Sequence, residues 1–190
     1  MVIPENKQRT GQVMPMSDDQ FFSSLLSRLS ENEGGLNENE IGGTVSKFGI
    51  TQETFDNYNL QRGRPLRDVS TIEEPERVEI FKNEFYLRPK VNTLPRGIQN
   101  AVFDFGVHSG YKIQPELFNP IQQLQRVVGT FPDGVLGPKT WKAIPQIPEE
   151  DIRNSLADLR IDRVTRQAQS DPEMAQVLDG VIARINRARS

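Results

Sequence analysis

The sequence has no cysteine, which excludes disulfide frameworks, thiolate nucleophiles and sulfur-ligated metals. It has one histidine, His108, so a histidine-rich zinc site is excluded as well. No run approaches the ~20 apolar residues that a membrane-spanning helix needs. The opening stretch MVIPENKQRTGQVMPMSDDQ lacks the apolar core of a secretory signal. A phosphate-cradling loop is missing too, because LGPKTW holds a glycine and a lysine without the G-x-x-x-x-G-K-[ST] frame. Neither sign of charge dominates: 23 basic residues face 26 acidic ones for a net charge of −3. Nucleic acid is therefore not an expected partner. These absences predict a protein made in the cytoplasm without a Sec signal, not inserted into a membrane, and needing no metal or cofactor. A target outside the cell then requires separate delivery.

What is present is unevenly placed. Residues 1–60 carry nine acids and four bases, and the remainder is net positive. Four carboxylates and two glycine pairs crowd into ENEGGLNENEIGG, residues 31–43. Like charges repel, and glycine gives up the most chain entropy on folding, so such a segment is costly to order. A solvated acidic loop is one explanation. The other is an active-site acid at a helix end with a second acid nearby.

The periodicity predicts a mainly α chain of 190 residues, one domain with an appendage. Residues 1–16 read as a flexible polar arm. Ser17 reads as the N-cap of a helix bearing Phe21, Phe22, Leu25, Leu26 and Leu29 at helical spacing; Gly34-Gly35 stops it and leaves Glu33 at its end. The stretch to KFGIT reads as a loop or small β-hairpin, and Thr51 caps the next helix. Thr71 and Glu74 read as a capping box opening a helix that ends before Pro89. LPRGIQNAVFDFGVHSG is the most apolar helix and the expected centre of the core, with Phe103 and Phe105 inside it. NPIQQLQRVVG and KTWKAI give two shorter helices, Trp141 anchoring the second, and PQIPEE reads as a hinge. Two long helices close the chain, the last with Met174, Leu178, Val181 and Ile185 on one stripe.

For chemistry, a Ser/His/Asp arrangement fails, because Asp104, His108 and Ser109 share one helix. Carboxylate chemistry remains. Tyr58 and Tyr86 read either as cleft-lining residues or as half-buried packing. Arg160, Arg163, Arg166, Arg184, Arg187 and Arg189 read as a solvated face.

Four segments in order, ENEGGL, EIGGTVSKFGIT, LPRGIQNAVFDFGVHSG and IQQLQRVVGTFPDGVLGPKTWKAI, resemble the N-acetylmuramidases of glycoside hydrolase family 108. That family shows E-G-G after its first helix, then D-P-G-G-x-T-x-[YF]-G-I-T, an FDxAVNxG-like helix, and an LQ…DGxxGPxT wall-binding signature. The resemblance implies a lysozyme-like helical domain with a small hairpin over residues 17–112 and a helical peptidoglycan-binding portion over 113–190. It implies hydrolysis of the β-1,4 bond between N-acetylmuramic acid and N-acetylglucosamine, with peptidoglycan glycan strands as the partner. Glu33 matches the catalytic glutamate and Glu40 stands where the motif's aspartate does. Thr44 and Ser46 compete for its threonine. Thr51 ends the G-I-T, and Tyr58 and His108 complete the expected substrate-binding set, His108 standing in place of an asparagine. The sequence also departs from the pattern. The Glu33–Glu40 spacing is about two residues short, the segment before FGIT is one residue longer, and Val181 stands where tryptophan is common. A phage endolysin released by a holin, a virion-borne enzyme and a secretion-associated muramidase all fit. A lytic transglycosylase and a non-catalytic wall-binding or structural virion protein are the alternatives.

Overall fold

The computed structural model describes residues 16–33, 46–111 and 118–189. Its first helix, α1 (Asp18–Glu33), opens on a reciprocal cap: the Gln20 amide donates to Ser17 Oγ at 3.2 Å, and the Ser17 amide donates to Gln20 Oε1 at 2.9 Å. Strands β1 (Ser46–Lys47) and β2 (Ile50–Thr51) pair antiparallel, Ser46 opposite Thr51 and Lys47 opposite Ile50. Their turn has positive φ at both central residues, 55° at Phe48 and 76° at Gly49. That is the hairpin geometry whose twist matches the strands, and it favours asparagine or glycine at the first position. A phenylalanine there is strained.

Helix α2 (Gln52–Gln61) follows with Thr51 as its N-cap. The expected capping box at Thr71 does not form. Asp68 caps a short 3-10 turn over Val69–Thr71, the Thr71 hydroxyl donates to the Asp68 carbonyl, and α3 (Glu74–Ile80) starts from Glu73 with Pro75 in its first turn. The helix then widens into a π turn over Phe81–Leu87 that buries Phe81, Phe85 and Tyr86. Helix α4 (Arg96–Ser109) is the central helix that the sequence predicts. Phe103 on it is the hub of an aromatic cluster, with ring centroids 6.0 Å from Phe22, 6.4 Å from Phe81 and 6.2 Å from Tyr86. These edge-to-face contacts add to the area they bury. Tyr111 lies on Gly106, where a Cβ would fall 2.1 Å from its ring, and donates its hydroxyl to the Val102 carbonyl.

Helices α5 (Pro120–Val127) and α6 (Pro138–Ala143) lead through a 3-10 turn, Ile144–Gln146, into α7 (Glu149–Ala168) and α8 (Pro172–Ala188). In the segment expected as a hinge, 145–150, Ile147 rests on the core and the residues around it are exposed. One continuous apolar cluster runs from Phe22 and Leu25 through Ile98 and Phe105 to Ile121, Ile152 and Leu156. Helix α8 returns to α1 and α4, where the Asn100 amide donates to the Ala188 carbonyl at 2.7 Å.

One arginine of the expected solvated face is not solvated. Arg160 is 6% exposed, its Nη1 lies 2.8 Å from Asp104 Oδ2, and its guanidinium stacks 4.8 Å from the Phe105 ring. The pair ties α7 to α4 in the core. Removing one partner of a buried pair strands the other charge. Arg160→Ala is therefore expected to destabilise the fold by about 3–5 kcal/mol in urea melts. Arg166→Ala, which cuts an exposed i,i+4 pair with Asp162, is expected to stay within about 0.5 kcal/mol of the parent.

Candidate active site

The described part of α1 runs to Glu33, and its last turn holds no basic residue. Facing this end is Arg77 on α3, a buried arginine that touches three elements. Its Nη2 donates to Ser30 Oγ on α1 at 3.0 Å, and its Nη1 pairs with Glu74 at 2.8 Å. Its guanidinium also lies 5.5 Å from the ring of Phe48 in the hairpin turn and 5.3 Å from that of Phe81. One side chain therefore joins the end of α1, the hairpin and α3. Lys47 adds a second tie, donating to the Ser70 carbonyl at 2.6 Å.

Of the residues singled out in the sequence, Glu40 and Thr44 lie outside the described residues. Glu33 is the last described residue of α1. Ser46 is buried on β1 opposite Thr51. The Thr51 Oγ1 accepts from the Thr54 amide at 3.3 Å and sits 3.1 Å from the Thr54 hydroxyl, so it serves the start of α2. The reading of Tyr58 as a substrate contact is corrected. Its side chain is 1% exposed, Asn83 donates to its hydroxyl at 3.3 Å, and the Arg62 guanidinium covers the ring at 3.6 Å. Burial, with the Glu79 carboxylate beside it, raises the Tyr58 pKa, and that tyrosine in turn holds Glu79 below the usual glutamate range. His108 is half-buried on α4. Its Nδ1 donates to the Asp104 carbonyl at 2.7 Å, one turn back on the same helix, and lies 3.8 Å from Asp104 Oδ2.

Sequence reasoning missed Arg77 and Phe48 as positioning residues. The signal was present: RVEIF sets Arg77 three and four residues before Ile80 and Phe81, on the apolar face of its helix. It also missed a second feature, in the α5–α6 connection. Gln125, buried on α5, donates to Asp133 Oδ1 and the Val135 carbonyl, its Nε2 lies 3.3 Å from the Thr140 hydroxyl, and its Oε1 accepts from the Gly134 amide at 2.8 Å. The Gln125 amide beside Asp133 lowers that carboxyl's pKa. On this clamped loop Phe131 is 80% exposed and Val135 is exposed near it in sequence.

Lysine cannot reproduce the planar fork of Arg77. Arg77→Lys should keep the fold but free the hairpin. Amide hydrogen exchange at Lys47 and Ile50 should rise about tenfold or more, while exchange in α4 stays slow. Unchanged exchange in the hairpin would show that Arg77 does not hold it.

The family described as Glycosyl hydrolase 108 matches residues 26–110, from the middle of α1 to the residue after α4. The structure of Brucella abortus SagA is similar to this chain, with 25% sequence identity and a TM-score of 0.71 over 88% of this chain and 91% of that one. No curated protein matches the chain. The match takes in the end of α1, the hairpin and the central helix, the same elements that Arg77 and Phe103 bring together. Residues 26–110 thus match the glycosyl hydrolase 108 family, and the protein is a glycoside hydrolase.

Proposed function

We propose that the protein is a peptidoglycan hydrolase that cleaves the β-1,4 bond between N-acetylmuramic acid and N-acetylglucosamine, with Glu33 as general acid. The observation that carries this reading is the place of Glu33 inside the matched segment, one turn beyond Ser30, which Arg77 ties to the hairpin. Glycosidic cleavage needs a protonated carboxyl to donate to the leaving oxygen and a second group to stabilise the cationic ring or activate water. The neighbouring acids of ENEGGLNENE favour the protonated form of a carboxyl among them. Glu40 is the proposed second carboxylate, with Thr44 or Ser46 orienting water. The enzyme reaches the wall from the cytoplasm as a phage endolysin through a holin, in a virion, or with a secretion system. Among the described residues no helix is long and apolar enough to cross a membrane.

Residues 113–190 are the proposed wall-binding portion. The exposed Phe131, on a loop that Gln125 holds still, supports this, because a flat ring at a fixed height presents a stacking face for a sugar at little entropic cost.

Glu33→Gln keeps the shape and removes the proton. Turnover of purified peptidoglycan should fall at least ~10²-fold, with binding retained. Mass analysis of the fragments separates reducing muramic ends from the anhydro ends that a lytic transglycosylase leaves. Near-parental turnover by Glu33→Gln would remove Glu33 from the mechanism. Phe131→Ala should weaken pelleting with insoluble sacculi by about tenfold, the worth of one buried aromatic contact, while cleavage of soluble fragments is kept. Unchanged pelleting would move the wall-binding face elsewhere.

A further inference from the structure

Away from the hairpin, α1, the start of α4, α7 and the end of α8 enclose a cavity of about 190 Å³. Its lining includes Arg28, Arg96 and Arg153, with Asn100 and, among the described residues, no carboxylate. We propose that this cavity binds a small oxyanion, a phosphate or carboxylate group carrying a short apolar substituent. The three cations differ in what already occupies them. Arg153 is fixed: its Nε donates to the Arg189 carbonyl at 2.9 Å and its Nη1 to the Gly97 carbonyl at 3.0 Å. Those bonds set the plane of its guanidinium, and the Glu149 carboxylate lies near it over Gly97. Arg96 reaches across to Asp18 at 3.0 Å and lies 4.9 Å from the Phe21 ring. Both members of that pair are largely exposed, so the pair is worth little and yields readily to a better anion. Arg28 has no hydrogen bond or ion pair among the described residues.

From α4, Gly97 and Asn100 line the cavity. The carboxylate that comes close is Glu149, whose side chain packs on Gly97 where a Cβ would stand. Phe21, Leu25 and Ala188 supply an apolar wall on the other side. Three guanidinium groups beside apolar surface suit a planar or tetrahedral oxyanion with a small hydrocarbon portion, bound through bidentate charge-assisted bonds. The cavity is not part of the proposed cleft. Position 33 is five residues beyond Arg28, about 140° further round α1.

The test uses the full chain and two probes, inorganic phosphate and succinate, each against potassium chloride at matched ionic strength. Thermal unfolding of the parent should show a saturable rise in Tm with at least one probe, and amide signals of Gly97 and Asn100 should shift along the same isotherm. Stronger binding of phosphate assigns the site to phosphate esters, and stronger binding of succinate assigns it to carboxylates. In a double variant, Arg28→Gln with Arg96→Gln, both at exposed positions, the dissociation constant should rise at least tenfold while Tm without anion stays close to the parent. Three results overturn the proposal: no saturable effect beyond chloride, the same affinity in the double variant, or shifts confined to residues away from the cavity.

Discussion

The geometry at the end of α1 depends on Arg77. A two-residue β-ladder has little stability of its own, and its turn carries the extra cost of a phenylalanine at positive φ. That cost is offset because Phe48 has something to reach. Its ring packs on the core and lies beside the Arg77 guanidinium, which also holds Ser30 one turn before Glu33. Phe48, Gly49, Ile50 and Thr51 act as a unit. The aromatic ring docks the turn, Gly49 closes it at φ 76°, Ile50 is buried, and Thr51 starts α2. A loss at any of the four moves the hairpin relative to α1.

Asp104 and Arg160 play the corresponding part between the N-terminal elements and the last two helices. An ion pair this deep costs desolvation that its attraction only partly returns. What it supplies is register: one position along α4 meets one position along α7, and the stacking of Arg160 on Phe105 fixes the rotation. The helices that follow the proposed wall-binding loop are therefore built on the same core as the helix that underlies the cleft. Movement of one against the other would have to break a buried charge pair.

Much of this was legible in the sequence. The 3.6-residue periodicity located α1, α4 and α8, and the caps at Ser17 and Thr51 were readable because each sits before an apolar-periodic run with an acceptor side chain. Phe103 and Phe105 were readable as core from the apolar wrap of their helix. The failures share a cause. Thr71 and Glu74 have capping-box spacing, but Asp68, three residues earlier, forms the turn first and takes the Thr71 hydroxyl for its own carbonyl. Tyr58 looked like a cleft residue, and Arg160 looked solvated. Both are decided by a partner distant in the chain, Asn83 for one and Asp104 for the other, and one-dimensional spacing carries no trace of such pairs. Of the candidate site, helix α1 and the hairpin were readable, and the arginine that joins them was not.

The placement of Glu74 completes the electrostatic argument at the end of α1. A lone Arg77 beside Ser30 would put a positive charge one turn from Glu33, and a cation at that range lowers a carboxyl's pKa. An acid meant to hold its proton near neutrality is poorly served by that. Glu74, one turn before Arg77 on α3, takes up the charge at 2.8 Å. The guanidinium can then act through its shape, joining a hydroxyl and two rings, with its field largely cancelled at the helix end. For the proposed general acid Glu33, the influence that opposes ionisation comes from the sequence, where Glu31, Glu38 and Glu40 lie close along the chain and like charges favour a protonated carboxyl. Under the proposed function, the cost of that glycine-rich acidic stretch has a use: it helps a general acid keep its proton.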